Sequence, residues 1–223
     1  MQALLDARSL ETEIRLAYEA RLARDPKIQK LGWRLLYSPE RVLNEATVAF
    51  IGLHPGGSTI DPSHGVFSSE NGSAYRKEIE TWPSSTGLQD QVIALFRHVG
   101  VEPDDVLAGN LVPFRSRCEA CLDYKKEAIS FGLDVWRRIF TVTQPSLIIT
   151  MGDTVNKSIS EFLKVHDKKT EKIGWGSVRS FRGRFDIGAW SGSWIGLPHL
   201  SQFRIMSREA CKVPLDVLFS GLP

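Results

Sequence analysis

The stretch Val48-Ala-Phe-Ile-Gly-Leu-His-Pro-Gly-Gly57 constrains the fold more than any other part of the chain. An apolar run that ends in Gly, Pro and two further Gly reads as a buried parallel strand emptying into a loop. Two other strand-like runs end in the same manner, at Asn110 and at His199. In open α/β sheets ligands bind where such loops leave the carboxyl ends of strands. Three polar loop starts are therefore expected to converge on one cleft.

Between these runs the apolar residues change period. Leu88, Val92, Leu95, Phe96 and Val99 recur at helical spacing, and Gly100 ends that helix. Further helices are expected over Leu10 to Arg24, Tyr124 to Phe140 (closed by Gln144-Pro145) and after Asp153, which is expected to cap. A last helix is expected from about Ser207 to Phe219, interrupted near Pro214. Strands are expected at Val48–Leu53, Asp105–Asn110, Leu147–Met151, Val178–Phe185 and Asp186–His199. Strands alternating with helices predict an α/β fold: a three-layer α/β/α sandwich around a central, mostly parallel β-sheet. With 223 residues and 42% hydrophobic content, one domain spanning 1–223 is expected. Residues 1–45 are read as an N-terminal helical extension packed on it.

The formal net charge of +2 does not announce a nucleic-acid binder. Lys164, Lys168, Lys169, Lys172, Arg179, Arg182 and Arg184 form the strongest basic concentration, which reads equally as a track for a DNA backbone or as a solvated face. Met1 to Arg8 shows no secretory pattern, and apolar runs such as Leu147–Met151 are too short to span a bilayer. Three cysteines, an odd number, argue against a disulfide framework and for a reducing compartment, so a cytoplasmic location is expected. Cys118-Glu-Ala-Cys121 has a metal-ligand spacing, but only Cys211 remains beside it. A four-cysteine cluster is thus impossible within one chain, and no metal is expected.

Six fragments in order, over roughly residues 45 to 205, resemble the motifs of the uracil-DNA glycosylase superfamily. They are Gly52-Leu-His-Pro-Gly56, Gly65-Val-Phe-Ser68, Pro83-Ser84, Ala108-Gly-Asn110, Thr150-Met-Gly152 and His199-Leu-Ser-Gln-Phe-Arg204. The resemblance implies that fold and a DNA glycosylase activity with an extruded base in the cleft. It also implies roles for residues. Gly52, Leu53, Pro55 and Gly56 would line the base pocket, Phe67 would stack on the base, and Asn110 would read its edge with an amide donor and acceptor. His199 would donate to the departing pyrimidine as negative charge builds there. Phe203 would wedge into the vacated space, while Ser84, Ser85, Ser201 and Arg204 would hold DNA. Each has a structural alternative: core packing for Phe67, strand closure for Asn110, a surface aromatic for Phe203.

Two departures matter. The family's water-activating Asp or Asn is replaced by His54, which acts as a base only when neutral; Asp61 and Glu70 are candidate replacement carboxylates. Gly56 stands where uracil-specific members carry a bulky Tyr, which opens the pocket beside C5 of a pyrimidine. The expected function is hydrolysis of the N-glycosidic bond of a flipped uracil or C5-modified pyrimidine in DNA, leaving an abasic site. His54, His199 and Asn110 are the expected catalytic residues. DNA is the expected partner of a monomer with no cofactor and no membrane contact. The alternative is a base- or DNA-binding module of the same fold that has little or no activity.

Overall fold

The computed structural model describes residues 5–60, 65–82 and 87–222. Among these, the strands form one six-stranded sheet. Its members are β1 (Val48–Gly52), β2 (Leu107–Asn110), β3 (Leu147–Met151), β4 (His166–Lys172), β5 (Arg179–Ile187) and β6 (Trp190–Leu197). Their spatial order is β2-β1-β3-β6-β5-β4. The first four neighbours run parallel, and β5 and β4 continue the sheet antiparallel.

The period-2 alternation of β1 divides the core. Ala49 and Ile51 face one apolar cluster, with Leu10 and Ile14 from α1 (Ala7–Arg24), Trp136 and Phe140 from α5 (Lys125–Thr143), and Val155 and Ile159 from α6 (Asp153–Phe162). Val48 and Phe50 face the other, with Tyr75 from α3 (Ala74–Thr81), Val92, Leu95 and Phe96 from α4 (Gly87–Val99), and Leu215 and Leu218 from α7 (Lys212–Phe219). Two faces of one sheet, each covered by helices, make the three-layer sandwich.

The remaining short helix, α2 (Val42–Glu45), belongs to the N-terminal region, which is only partly helical. Between α1 and α2 the chain is extended and bridges Trp33 to Phe114 and Leu36 to Gly109. That segment supplies Leu35, Leu36 and Trp33 to the core, and its backbone satisfies Asn110 N–H through the Leu35 carbonyl at 3.0 Å.

Several expectations need correction. Asp153 is the first residue of α6 rather than its cap; the cap is Gly152 at φ 92°, a conformation that favours glycine. The last helix begins at Lys212, after two 3₁₀ turns between Ile205 and Cys211. Pro214 sits in its first turn, where a missing N–H costs nothing. Gly100 does close α4, at φ 78° with its N–H donating to the Arg97 carbonyl at 3.1 Å.

Candidate active site

From β1 the chain crosses to β2 on one side and later to β3 on the other, so the crevice beyond β1 and β3 is a topological switch point. A cleft of about 570 Å³ lies there. The loops around it are held by bonds that prolong the strand pairing. Leu111 N–H donates to the Gly52 carbonyl and Val112 N–H to that of Leu53, both at 2.8 Å. A buried polar network braces the other wall. Thr150 Oγ1 lies 2.7 Å from Asn156 Oδ1, Asn156 Nδ2 donates to the Leu197 carbonyl at 3.0 Å, and Trp194 Nε1 donates to Thr150 Oγ1 at 3.0 Å.

His54, Asn110 and His199 all line this cleft, with Gly52, Leu53, Gly56 and Ser201. Asn110 is 5% exposed. Its carbonyl accepts from Trp136 Nε1 at 2.8 Å, while its side-chain Nδ2 makes no hydrogen bond of good geometry and has the Tyr37 phenol as its nearby polar group. Leaving a buried donor unmatched costs about 1–3 kcal/mol, a cost that a bound acceptor removes. Gly52 makes the room: a Cβ there would meet Asn110 Oδ1 at 3.3 Å.

His54 Nδ1 is 3.0 Å from the Pro55 carbonyl. A carbonyl only accepts, so Nδ1 carries the proton and the neutral ring offers its lone pair at Nε2. Burial lowers the His54 pKa and is the dominant cause; the Pro55 carbonyl and then Glu119 oppose the fall, and Arg115 and Lys125 add to it. His199 is shifted the same way, first by burial and then by the charge of His54. Its Nδ1 lies 2.8 Å from Ser201 Oγ, and its ring packs by Gly152, where a Cβ would sit 3.6 Å from Cδ2.

Other expected residues fall elsewhere. Phe67 is 4% exposed within the core cluster that includes Trp33 and Leu36, and it borders a neighbouring hollow, beside Arg34 and Glu70, that meets the cleft at Glu78 and Trp82. Packing on the extended N-terminal segment, whose Leu36 N–H donates to the Phe67 carbonyl, takes this ring out of the cleft and corrects its stacking role. Pro55 is buried and shapes the loop through its carbonyl, which also accepts from Ser116 N–H at 3.1 Å. Phe203 leans half-buried on Trp175, ring centroids 6.0 Å apart and edge-on. Arg204 is exposed beside Gly87, where a Cβ would meet its Nη2 at 3.2 Å. Ser84, Ser85 and Asp61 lie outside the described residues. Glu70 is tied to Glu40 N–H at 2.9 Å and Ser68 Oγ at 2.6 Å, away from His54.

The residues that fill these gaps gave little signal in the sequence. Tyr37 and Tyr75 stack at 4.9 Å and 21° in the cleft wall, and Trp82 stands 52% exposed at its edge. Glu119 supplies a carboxylate in the same cleft. Its Oε1 accepts from Lys125 Nζ at 2.5 Å and from Thr154 Oγ1, and these bonds hold its pKa below the ordinary carboxylate value. Arg115 and Arg117 add positive charge to the rim.

The turn bearing Glu119 is closed by a disulfide between Cys118 and Cys121, against the expectation of two thiols. Their Cα atoms are 5.1 Å apart, within bonding range, and the odd count leaves only Cys211, free and buried. The basic concentration does not reach the cleft lining. Lys168 covers Trp194 and donates to Ser160, while Arg182 donates to the Val217 and Ser220 carbonyls.

No described helix is long and apolar enough to cross a membrane. Against this geometry the comparisons add nothing: no family model and no curated protein matches the chain.

Proposed function

We propose that the chain is a DNA glycosylase that hydrolyses the N-glycosidic bond of an extruded uracil or C5-modified pyrimidine and leaves an abasic site. The observation that carries this reading is the meeting of His54, Asn110 and His199, from three separate strand exits, in one cleft with an unmatched buried donor.

Asn110 Nδ2 donates to an acceptor on the base edge. His54 Nε2 takes a proton from water as the water oxygen attacks C1′. The C1′–N bond breaks with its electron pair going to the base. With the Ser201 hydroxyl donating to His199 Nδ1, His199 Nε2 carries a proton and donates to the pyrimidine oxygen that gains charge. A preorganised donor of this kind contributes about 3–4 kcal/mol in oxyanion-type sites. Glu119, kept ionised by Lys125 and Thr154, offers the negative charge that an oxocarbenium-like sugar favours and that His54 lacks. Trp82, 52% exposed at the edge of the cleft, offers a flat surface for a base, and Arg117 suits a backbone phosphate.

Single-turnover assays on oligonucleotides carrying uracil or C5-modified pyrimidines test the proposal. The expected product is an abasic site without strand cleavage, because no lysine is used as nucleophile, and Asn110→Ala or His199→Ala should slow its formation about 100-fold or more. Tight binding with no abasic product would favour the binding module instead, a reading that the histidine at position 54 keeps in view.

A further inference from the structure

The arc from Ser116 to Leu122 carries two cleft groups, Arg117 and Glu119, and an exposed disulfide closes it. We propose that Cys118 and Cys121 form a thiol–disulfide exchange site whose oxidised state holds Arg117 and Glu119 on the cleft and whose reduced state releases them. The consequence for catalysis rests on the excision reading; the exchange chemistry does not.

Burial anchors the arc only at its ends. Ser116 is buried, with its N–H donating to the Pro55 carbonyl at 3.1 Å and its Oγ to the Cys118 carbonyl at 2.9 Å. Leu122 sits in the core cluster. All five residues between them, Arg117 to Cys121, are exposed, so no apolar packing fixes the turn. What holds it is local. Cys121 N–H donates to the Cys118 carbonyl at 3.0 Å and lies 3.2 Å from Cys118 Sγ. The Glu119 carboxylate accepts from Lys125 Nζ and Thr154 Oγ1, and such solvent-exposed bonds hold a side chain weakly. The covalent link is the firmest of these constraints.

That link has the character of a switch rather than of a staple. It joins cysteines at a sequence separation of 3, and a disulfide restrains the unfolded chain more as the loop it closes lengthens. Both cysteines are open to solvent, where disulfides exchange readily. A thiolate of an external dithiol attacks one sulfur, and the other cysteine leaves as a thiolate. The second thiol of the reagent then resolves the mixed disulfide. Two electrons and two protons pass to the protein, and the dithiol departs as its own disulfide. A small-molecule disulfide drives the reverse reaction. Cys211, buried, takes no part.

The two cleft histidines report on the position of Glu119. Burial lowers the pKa of both His54 and His199, and the Glu119 charge opposes the fall in each. Arg115 and Lys125 add to it at His54, and His54 adds to it at His199. Release of Glu119 therefore lowers both midpoints further.

The experiment uses the full chain, oxidised with glutathione disulfide or reduced with dithiothreitol, in the absence of denaturant. Alkylation followed by mass spectrometry should find two reactive thiols after reduction and none before. Imidazole NMR titrations, assigned with His54→Ala and His199→Ala, should show both midpoints lower in the reduced chain. Glu119→Gln should abolish that difference. On oligonucleotides carrying uracil or 5-hydroxymethyluracil, the reduced chain should form abasic product about tenfold or more slowly than the oxidised one. The double change Cys118→Ser and Cys121→Ser should match the reduced chain in either buffer, and reduction of the unaltered chain carries the test if that variant misfolds.

A link that dithiothreitol opens only in denaturant overturns the proposal, and so do midpoints that the redox state leaves unchanged. Product formed at equal rates in both states overturns it as well. If neither state forms abasic product, the excision reading falls, and the thiol count and the midpoints alone decide the exchange site.

Discussion

Burial penalises the charged forms of His54 and His199, so in the folded chain both lose their protons at a lower pH than free imidazole does. Two consequences follow with the same sign. Under the proposed mechanism cleavage uses the His54 Nε2 lone pair, so kcat/KM should be flat from about pH 7 to 8 and fall as pH drops through a midpoint below 6.5. Stability should move in parallel. Below about 6.5 the unfolded chain binds protons that the folded chain resists, so denaturation midpoints should decline as pH falls toward the folded pKa. A rate that rises on acidification would contradict a neutral base. Position 56 gives a second residue-scale test. A side chain there meets no atom within 4 Å of its Cβ and the backbone lacks positive φ, so Gly56→Tyr should fold normally. It should cut cleavage of a C5-substituted pyrimidine by at least tenfold, measured against the unsubstituted base in the same assay.

At the scale of elements, the close approach of α5 to the segment after β2 is the most sensitive joint. A Cβ on Gly132 would lie 1.8 Å from the Leu111 carbonyl oxygen, which is main chain and cannot swing aside. Gly132→Ala should lower stability by about 1–3 kcal/mol or more in chemical denaturation, since overpacking forces backbone shifts. Because Leu111 follows Asn110, the same change should weaken base selectivity. Which elements could be read from sequence follows from burial. Val48–Gly52 and Leu147–Met151 are buried on every residue, so continuous apolar runs mark them. β4, His-Asp-Lys-Lys-Thr-Glu-Lys, is an edge strand exposed along nearly all its length; its charges blunt edge pairing and erase the periodic signal. α3 is equally faint, with only Ala74 and Tyr75 buried in eight residues. Phe67 misled for the opposite reason: a ring after a loop glycine looks available, and only the distant segment at Leu36 reveals that it is covered.

The whole molecule places its chemistry where strand order reverses, and this much was legible from the ends of three strands. His54, Asn110 and His199 meet because parallel β1, β2 and β6 deliver their carboxyl ends to one edge of the sheet. Glu119, Tyr37 and Glu78 were not legible. They reach the cleft from a 3₁₀ turn, an extended segment and a short helix, none with a motif at fixed spacing. The basic residues of β4 and β5 lie toward the opposite edge of the sheet from β2, so under the proposed function attraction for DNA rests on Arg115 and Arg117 of the cleft. Six tryptophans are spread through this architecture, and their surroundings are unequal. Trp33, Trp136, Trp190 and Trp194 are sealed in the core and Trp175 is half covered, whereas Trp82 stands open at the mouth of the cleft. The chain thus carries its own optical reporter. Iodide should quench a minor, red-shifted part of the emission, an occupied cleft should shield that part, and Trp82→Phe should abolish the signal without dimming the protected majority.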